Sequence, residues 1–358
     1  MPEDVGSDRA ARPAPARGLN AQLEQLMRGL RGGPHGSVGG LLLLLAALIV
    51  GFSLHLPDRF PRAATFQSMM FQLPELGLLS LAMVLPLVSG GLNLAIIATA
   101  NQAALLMALV MTSMIAPDAA AGTVVLWVFA ALAAGFLLCL GIGLITGYLV
   151  ATMGVHPILV TLGTMSVVNG TSIYLTRGNI ISQFPEGFLW IANGTILGIP
   201  VSFFLLLAAA FAVHVLLTRT PIGIQIHMTG SNLEATRYSG VDTRRVLIAV
   251  YTLSSLLCWL AAVVMMARFN SASADYAQSY LLITILAAIL GGIDPFGGFG
   301  RILGLVVALI VLQVIASGLN LLQLSQHLTL AIWGLTLILV MAVKFAVGAW
   351  RGRGAPRS

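Results

Sequence analysis

The residues able to do covalent or proton chemistry are few and scattered. His55, His156, His214, His227 and His327 stand singly, and neither an HExxH pair for zinc nor a GxSxG elbow for a serine nucleophile occurs. A single histidine near a span end reads as an interfacial hydrogen-bonding residue, with ligation or catalysis as the alternative. Cys139 and Cys258 lie inside apolar runs and imply neither a disulfide nor a metal site. Lys344 is the only lysine, so the phosphate loop ending in Lys and Ser or Thr is missing and the chain cannot hydrolyse ATP by itself. Proton-driven carriers place ionisable groups within their spans, yet from Leu76 through Thr176 the only charged residue is Asp118. Glu75, following Pro74, reads as the start of a span, where a carboxylate complements the helix dipole. No catalytic residue, metal site or cofactor is expected.

The remaining chemistry is hydrogen bonding by neutral side chains. In the apolar run from Pro157, steps of about 100° place Thr161, Thr164, Asn169, Thr171 and Ser172 within half of a helix circumference. In the run from Ile302, Gln313, Ser317 and Asn320 share one stripe. Such faces suit the pathway of an uncharged, hydrogen-bonding solute; the alternative is hydrogen bonding across packed helices, which is routine in membranes. Gly135, Gly141, Gly143 and Gly147 read as sites of close helix packing.

The elements that carry these stripes are membrane spans. Of 358 residues, 58% are hydrophobic and 8% charged, against roughly 25% charged in a soluble domain. Apolar runs at about 39–56, 69–88, 91–115, 123–150, 157–176, 200–217, 246–267, 280–294, 302–322 and 327–348 each approach the roughly 20 residues a crossing needs. The expectation is an all-α integral membrane protein of about ten transmembrane helices: a cytosolic tail over 1–37, a transmembrane domain over 38–348 and a basic cytosolic tail over 349–358. The arginines from Arg9 to Arg31 and from Arg351 to Arg357 place both termini in the cytosol. Ten crossings then put the 218–245 loop, with Arg219, Arg237, Arg244 and Arg245, inside as well. One pair, Arg59 and Arg62, violates this rule in an outside segment, partly balanced by Asp58. Arginines distributed in this way exclude nucleic acid as a partner.

The 218–245 loop is the longest inside connection. Asn232 can cap a short helix, Glu234 and Ala235 fall in its first turn, and Gly240 supplies a left-handed stop, so a short helix is expected between Gly230 and Gly240. The segment GSNLEATRYSGV, from Gly230, resembles the cytosolic coupling motif of ABC transporter permeases for ribose and related simple sugars. HPILVTLGTMSVVNG from His156, AAILGGIDPFGGFG from Ala287 and GLNLL from Gly318 follow in that family's order, and the resemblance covers roughly residues 70–345.

The resemblance implies an importer of the bacterial cytoplasmic membrane. Two permease subunits, identical or related, would form the pathway, cytosolic ATPases would bind the coupling loops, and an extracytoplasmic binding protein would deliver solute. It implies coupling roles for Gly230, Asn232, Glu234, Ala235, Thr236, Gly240 and Val241. Asn93 stands where such permeases commonly carry an acid in GGIDLSVG, and is retained as a pathway candidate. SGGLNL from Ser89 and LGGIDP from Leu290 also resemble one another, as an internal repeat or as two glycine-rich span ends. An independent carrier or facilitator and a membrane enzyme are the competing classes.

Overall fold

A computed structural model describes residues 36–116 and 118–352; the expected cytosolic tails lie almost wholly outside the described residues. The chain is helical: α1 Gly36–His55, α2 Ala63–Val88, α3 Ile96–Met114, α4 Ala121–Thr152, α5 Pro157–Thr176, α6 Glu186–Asn193, α7 Val201–Arg219, α8 Pro221–Ser231, α9 Leu233–Tyr238, α10 Thr243–Phe269, α11 Tyr280–Leu290, α12 Ile302–Leu321 and α13 Gln326–Gly352. Two-residue strand pairs, Ile181–Ser182 with Ser271–Ala272 and Thr195–Ile196 with Ile199–Pro200, stitch the connections around α6. Among the described residues, 8 helices are long and apolar enough to cross a membrane, and Tyr280–Leu290 and His327–Val340 are shorter apolar helices.

Helix α2 is the hub. Its residues from Leu73 to Val88 are all buried, the pattern of a helix hydrophobic all round, and α10 packs along it and along α3 and α4. On α4, a Cβ at Gly143 would come within 2.7 Å of the Thr252 backbone and one at Gly147 within 2.8 Å of Ile248. These glycines let α4 and α10 approach closely, as small residues do in membranes. Gly135 likewise faces Met107, whereas Gly141, also expected to pack, has open space around it.

Three sequence expectations change. Helix α2 begins at Ala63 rather than near 69, so Glu75 lies in mid-helix and is 1% exposed; its neighbours are side chains, not a free helix end. The 218–245 connection forms two helices rather than one: α9 between Gly230 and Gly240, and before it α8, which contains Gly230. The 280–294 span contracts to α11, whose 11 residues cover only about 16 Å of a roughly 30 Å hydrocarbon core. It stops at Gly291 and Gly292, the latter with φ +88°, a conformation open mainly to glycine.

Irregular backbone follows α11 and also separates α2 from α3, and each segment folds through the same Asx turn. Asn93 Oδ1 accepts from the Ala95 N–H at 3.1 Å, and Asp294 Oδ1 accepts from the Phe296 N–H at 2.9 Å. This shared turn is the structural counterpart of the SGGLNL and LGGIDP similarity. The two segments touch: a Cβ on Gly297 would lie 2.6 Å from Gly90 Cα. Irregular backbone of this kind persists in a membrane protein where protein rather than lipid covers it.

Candidate functional site

The expected site residues fall into three places. The first is the α2–α3 turn. Pro86 has no N–H, which leaves the carbonyl of Ala82 without its helical donor. Ser254 of α10 fills the gap, its hydroxyl donating to Ala82 O at 2.8 Å, and Asn93 Nδ2 donates in turn to Ser254 Oγ at 3.0 Å. Asn93 is 1% exposed and uses its amide in both senses, as donor to Ser254 and acceptor from Ala95. Thr161 closes the turn from α5, donating to Leu92 O at 3.2 Å. These two candidates are brought together, as clasps on an interrupted helix.

The second place is the α12 stripe. Gln313, 6% exposed, donates through Nε2 to Gln72 Oε1 at 3.2 Å and to Ser317 Oγ at 3.3 Å. Gln72 Nε2 donates on to Ser68 Oγ at 3.1 Å. Ser317 and Asn320 line a cavity of about 500 Å³ together with Ser68, Gln72, Arg59 and Arg62. The structure therefore unites Gln313, Ser317 and Asn320 with a facing α2 stripe of Thr65, Ser68 and Gln72. That stripe was legible as helical spacing, but a span begun near residue 69 cuts it off.

The α5 stripe does not join this cavity. Thr164 bonds Val160 O at 3.0 Å, lies 3.4 Å from Thr146 Oγ1, and faces a shallow apolar groove against α4. Asn169 is half-buried and its Oδ1 has no partner. A second cluster escaped sequence reading: Glu75 Oε1 accepts from the Tyr280 hydroxyl at 2.6 Å and forms an ion pair with Arg268 Nη1 at 2.6 Å, tying α2, α10 and α11 together.

The third place is α8–α9. Thr220 caps α8, accepting from the Gly223 N–H at 3.2 Å with Pro221 at the first helical position, where its missing N–H costs nothing. Asn232 caps α9, its Oδ1 accepting from the Ala235 N–H at 2.9 Å, and Gly240, at φ +83°, ends the segment. Glu234 and Ala235 are exposed, Val241 is half-buried, and Thr236 is the one buried residue of the short helix. Glu234 pairs with Arg237 at 3.7 Å, an exposed contact worth about 0–1 kcal/mol. Gly230 faces inward: a Cβ there would collide with Val88 O and lie 2.5 Å from Gly298 N. Gly298 N–H donates to Val88 O at 2.8 Å, and His227 Nδ1 lies 2.9 Å from Gly298 O. The end of α8, the end of α2 and the loop after α11 thus meet through main chain.

Residues 65–341 match the family described as the permease component of branched-chain amino acid transport systems. The chain belongs to this family. The match runs from the start of α2 into α13 and so takes in all three places. The permease is 28% identical over 310 residues to an autoinducer 2 import system permease protein of Photorhabdus temperata, covering 84% of this chain and 88% of the relative. It is 32% identical over 214 residues to a D-allose transport system permease protein of Escherichia coli, covering 60% and 66%. It is 34% identical over 197 residues to a ribose import permease protein of Bacillus subtilis, covering 54% and 61%. No solved structure matches the permease. Its relatives are transport subunits rather than enzymes.

Proposed function

We propose that this chain is the pathway-forming permease of an ATP-driven importer for a simple sugar or sugar-like solute, resident in the bacterial inner membrane. It crosses ten times with both termini in the cytosol, α11 together with the irregular 291–301 segment after it, and α13, supplying the crossings beyond the 8 long spans. It pairs with a second permease, identical or related, receives solute from an extracytoplasmic binding protein, and is driven by separate ATPase subunits. The sugar assignment rests on the ribose and D-allose relatives.

The observation that carries the reading is the α8–α9 pair. A short helix, capped at both ends, presents Leu233, Glu234, Ala235 and Tyr238 outward while Thr236 anchors it. The chain has no nucleotide-binding loop. Phe296 and Phe299, 85% and 70% exposed on the loop locked to α8, add apolar area to that end. Gly230 and Thr236 hold this element in place; Asn232, Glu234, Ala235, Gly240 and Val241 shape and present it to the ATPase. Asn169, Gln313, Ser317 and Asn320 are the lining residues of the solute route, and Asn93, Thr161 and Thr164 support it.

The test is to make Ala235→Arg and Gly240→Pro separately and measure co-purification with the co-expressed ATPase and solute-stimulated ATP hydrolysis. Proline cannot adopt the φ of Gly240, and arginine adds bulk to the exposed helix face. Both variants should lose assembly or stimulation at normal membrane abundance; wild-type behaviour in both refutes docking through α9. Leucine at Asn169, Gln313 and Asn320 should slow import into vesicles, and normal import by all three removes the lining assignment.

A further inference from the structure

The cavity between the α1–α2 turn, α2 and α12 contains a feature that uncharged solute transport leaves unexplained. Arg59 and Arg62 both line it, no acidic residue does, and neither arginine forms an ion pair among the described residues. These are the same two residues that violate the charge rule for an outside segment. Asp58, next to them in sequence, is not part of the lining.

The hydrogen-bond directions inside the cavity carry the argument. Gln313 Nε2 donates to both Gln72 Oε1 and Ser317 Oγ, and Gln72 Nε2 then donates to Ser68 Oγ. Each serine oxygen thus already accepts a bond, and neither hydroxyl donates to a protein acceptor. A serine has one O–H to give, so Ser68 and Ser317 both have theirs to offer to the cavity. Thr65 spends its hydroxyl on Arg59 O at 2.8 Å, which fixes the turn carrying the arginines. Asn320 adds an amide with no side-chain partner among the described residues. The site is a set of donors facing an unneutralised pair of guanidinium groups, the complement of an oxyanion.

We propose that this cavity binds an oxyanion of the phosphate-ester class, held by Arg59 and Arg62 and by the hydroxyls of Ser68 and Ser317. The ester has two sources: the headgroup of an outer-leaflet phospholipid, reached along α1, where only 6% of the residues from Val38 to His55 are buried, or an anionic solute entering the vestibule. The inference rests on the proposed orientation, which puts this mouth on the outside, but its binding test does not depend on the ATPase. Loss of coupling would leave the binding result standing, and absence of binding would leave the coupling assay untouched.

The test titrates the purified chain, in neutral-detergent micelles at constant ionic strength, with sn-glycerol 3-phosphate and inorganic phosphate, with ribose as the neutral control. Both phosphates should bind and ribose should not saturate the same signal. The exposed pair Arg59→Gln/Arg62→Gln should weaken phosphate binding about tenfold or more, and Arg59→Lys/Arg62→Lys should retain most of it, charge being kept while the guanidinium fork is lost. Ser317→Ala, which removes a donor and no charge, should cost about threefold. Native mass spectrometry separates the sources: phosphatidylglycerol retained by wild type and lost in the glutamine pair identifies the lipid headgroup, whereas phosphate-ester binding without retained lipid identifies a solute. Equal binding by wild type and the glutamine pair, or no phosphate binding by wild type, overturns the proposal.

Discussion

Replacing Asn93 by aspartate changes one nitrogen for one oxygen, yet the structure gives that change a calculable cost. The wild-type amide donates to Ser254 and accepts from Ala95, while the Ser254 hydroxyl is committed to the carbonyl that Pro86 leaves free, Ala82 O. An ionised carboxylate cannot donate. It would draw the Ser254 hydroxyl to itself, orphaning Ala82 O at about 1–3 kcal/mol and leaving a buried charge with no cation among its hydrogen-bond partners. The variant's escape is protonation, because a neutral acid donates through O–H and accepts through C=O as the amide does. From a reference pKa of about 3.9, holding that proton at pH 7 costs about 4 kcal/mol, at roughly 1.4 kcal/mol per pH unit. The chain takes the cheaper route, so Asn93→Asp should be destabilised by about 2–4 kcal/mol at pH 7. At roughly 1.3 °C per kcal/mol for a chain of this length, that lowers the thermal midpoint by about 3–5 °C. The sign with pH follows from linkage: a carboxyl held neutral in the fold loses stability as pH rises and recovers it as pH falls. The deficit should therefore shrink to about 1.5 kcal/mol at pH 5. The assay is the difference in thermal midpoint between variant and wild type in the same detergent at pH 5, 6, 7 and 8. No deficit at pH 7, or a deficit independent of pH, refutes the clasp.

Glu75→Gln should be destabilised by about 2–3 kcal/mol, less than the 3–5 of a fully buried pair because Arg268 is 21% exposed. Adding Arg268→Gln should restore part of the loss, and a strictly additive double variant in the thermal cycle would show that the two charges do not interact. Gly230→Ala should lower folded yield sharply because the new methyl meets backbone atoms, while Gly141→Ala, with open space, should stay within about 0.5 kcal/mol of wild type; equal behaviour on size-exclusion chromatography would refute the junction. With an impermeant maleimide, Leu197→Cys, at a position 99% exposed, should label in intact cells and Tyr238→Cys, at one 88% exposed, only in inverted membrane vesicles, the native Cys139 and Cys258 being buried. Labelling of Tyr238→Cys from outside would overturn the proposed orientation.

Sequence reading located most apolar helices because a membrane span is a composition and length problem, and α5 matches its expected bounds. It shortened α2, because Thr65, Gln67 and Ser68 lower hydropathy where the helix nevertheless continues, and with Gln72 two of these, Thr65 and Ser68, make one stripe toward α12. The stripe they form, facing Gln313 and Ser317, was lost with that boundary. Glu75 was misplaced for the same reason, and its partners Arg268 and Tyr280 lie 193 and 205 residues away, beyond any local pattern. The α9 helix was legible because caps are local: Asn232 and Gly240 each act within a few residues. The contraction of α11 was not, since Gly291 and Gly292 could equally have lain in a continuous span until the close approach of Gly304 and Leu305 is known.

The meeting of α8, α2 and the 291–301 loop is mostly peptide against peptide at Gly90, Gly230, Gly297 and Gly298, with the side chains of His227 and Ser231 closing on Gly298. A layer of leucines would absorb a small displacement by changing rotamers; bare backbone has nothing to give. The Val88 end that α8 meets belongs to α2, a helix of 26 residues and about 39 Å with prolines at Pro74 and Pro86, whose middle is fastened through Glu75 to Arg268 and Tyr280 near the far ends of α10 and α11. In the proposed importer such a joint would pass a displacement of α8 on to the Val88 end of α2 instead of absorbing it in side-chain rotamers. Its penalty is brittleness, since one methyl group at the pivot is enough to jam it.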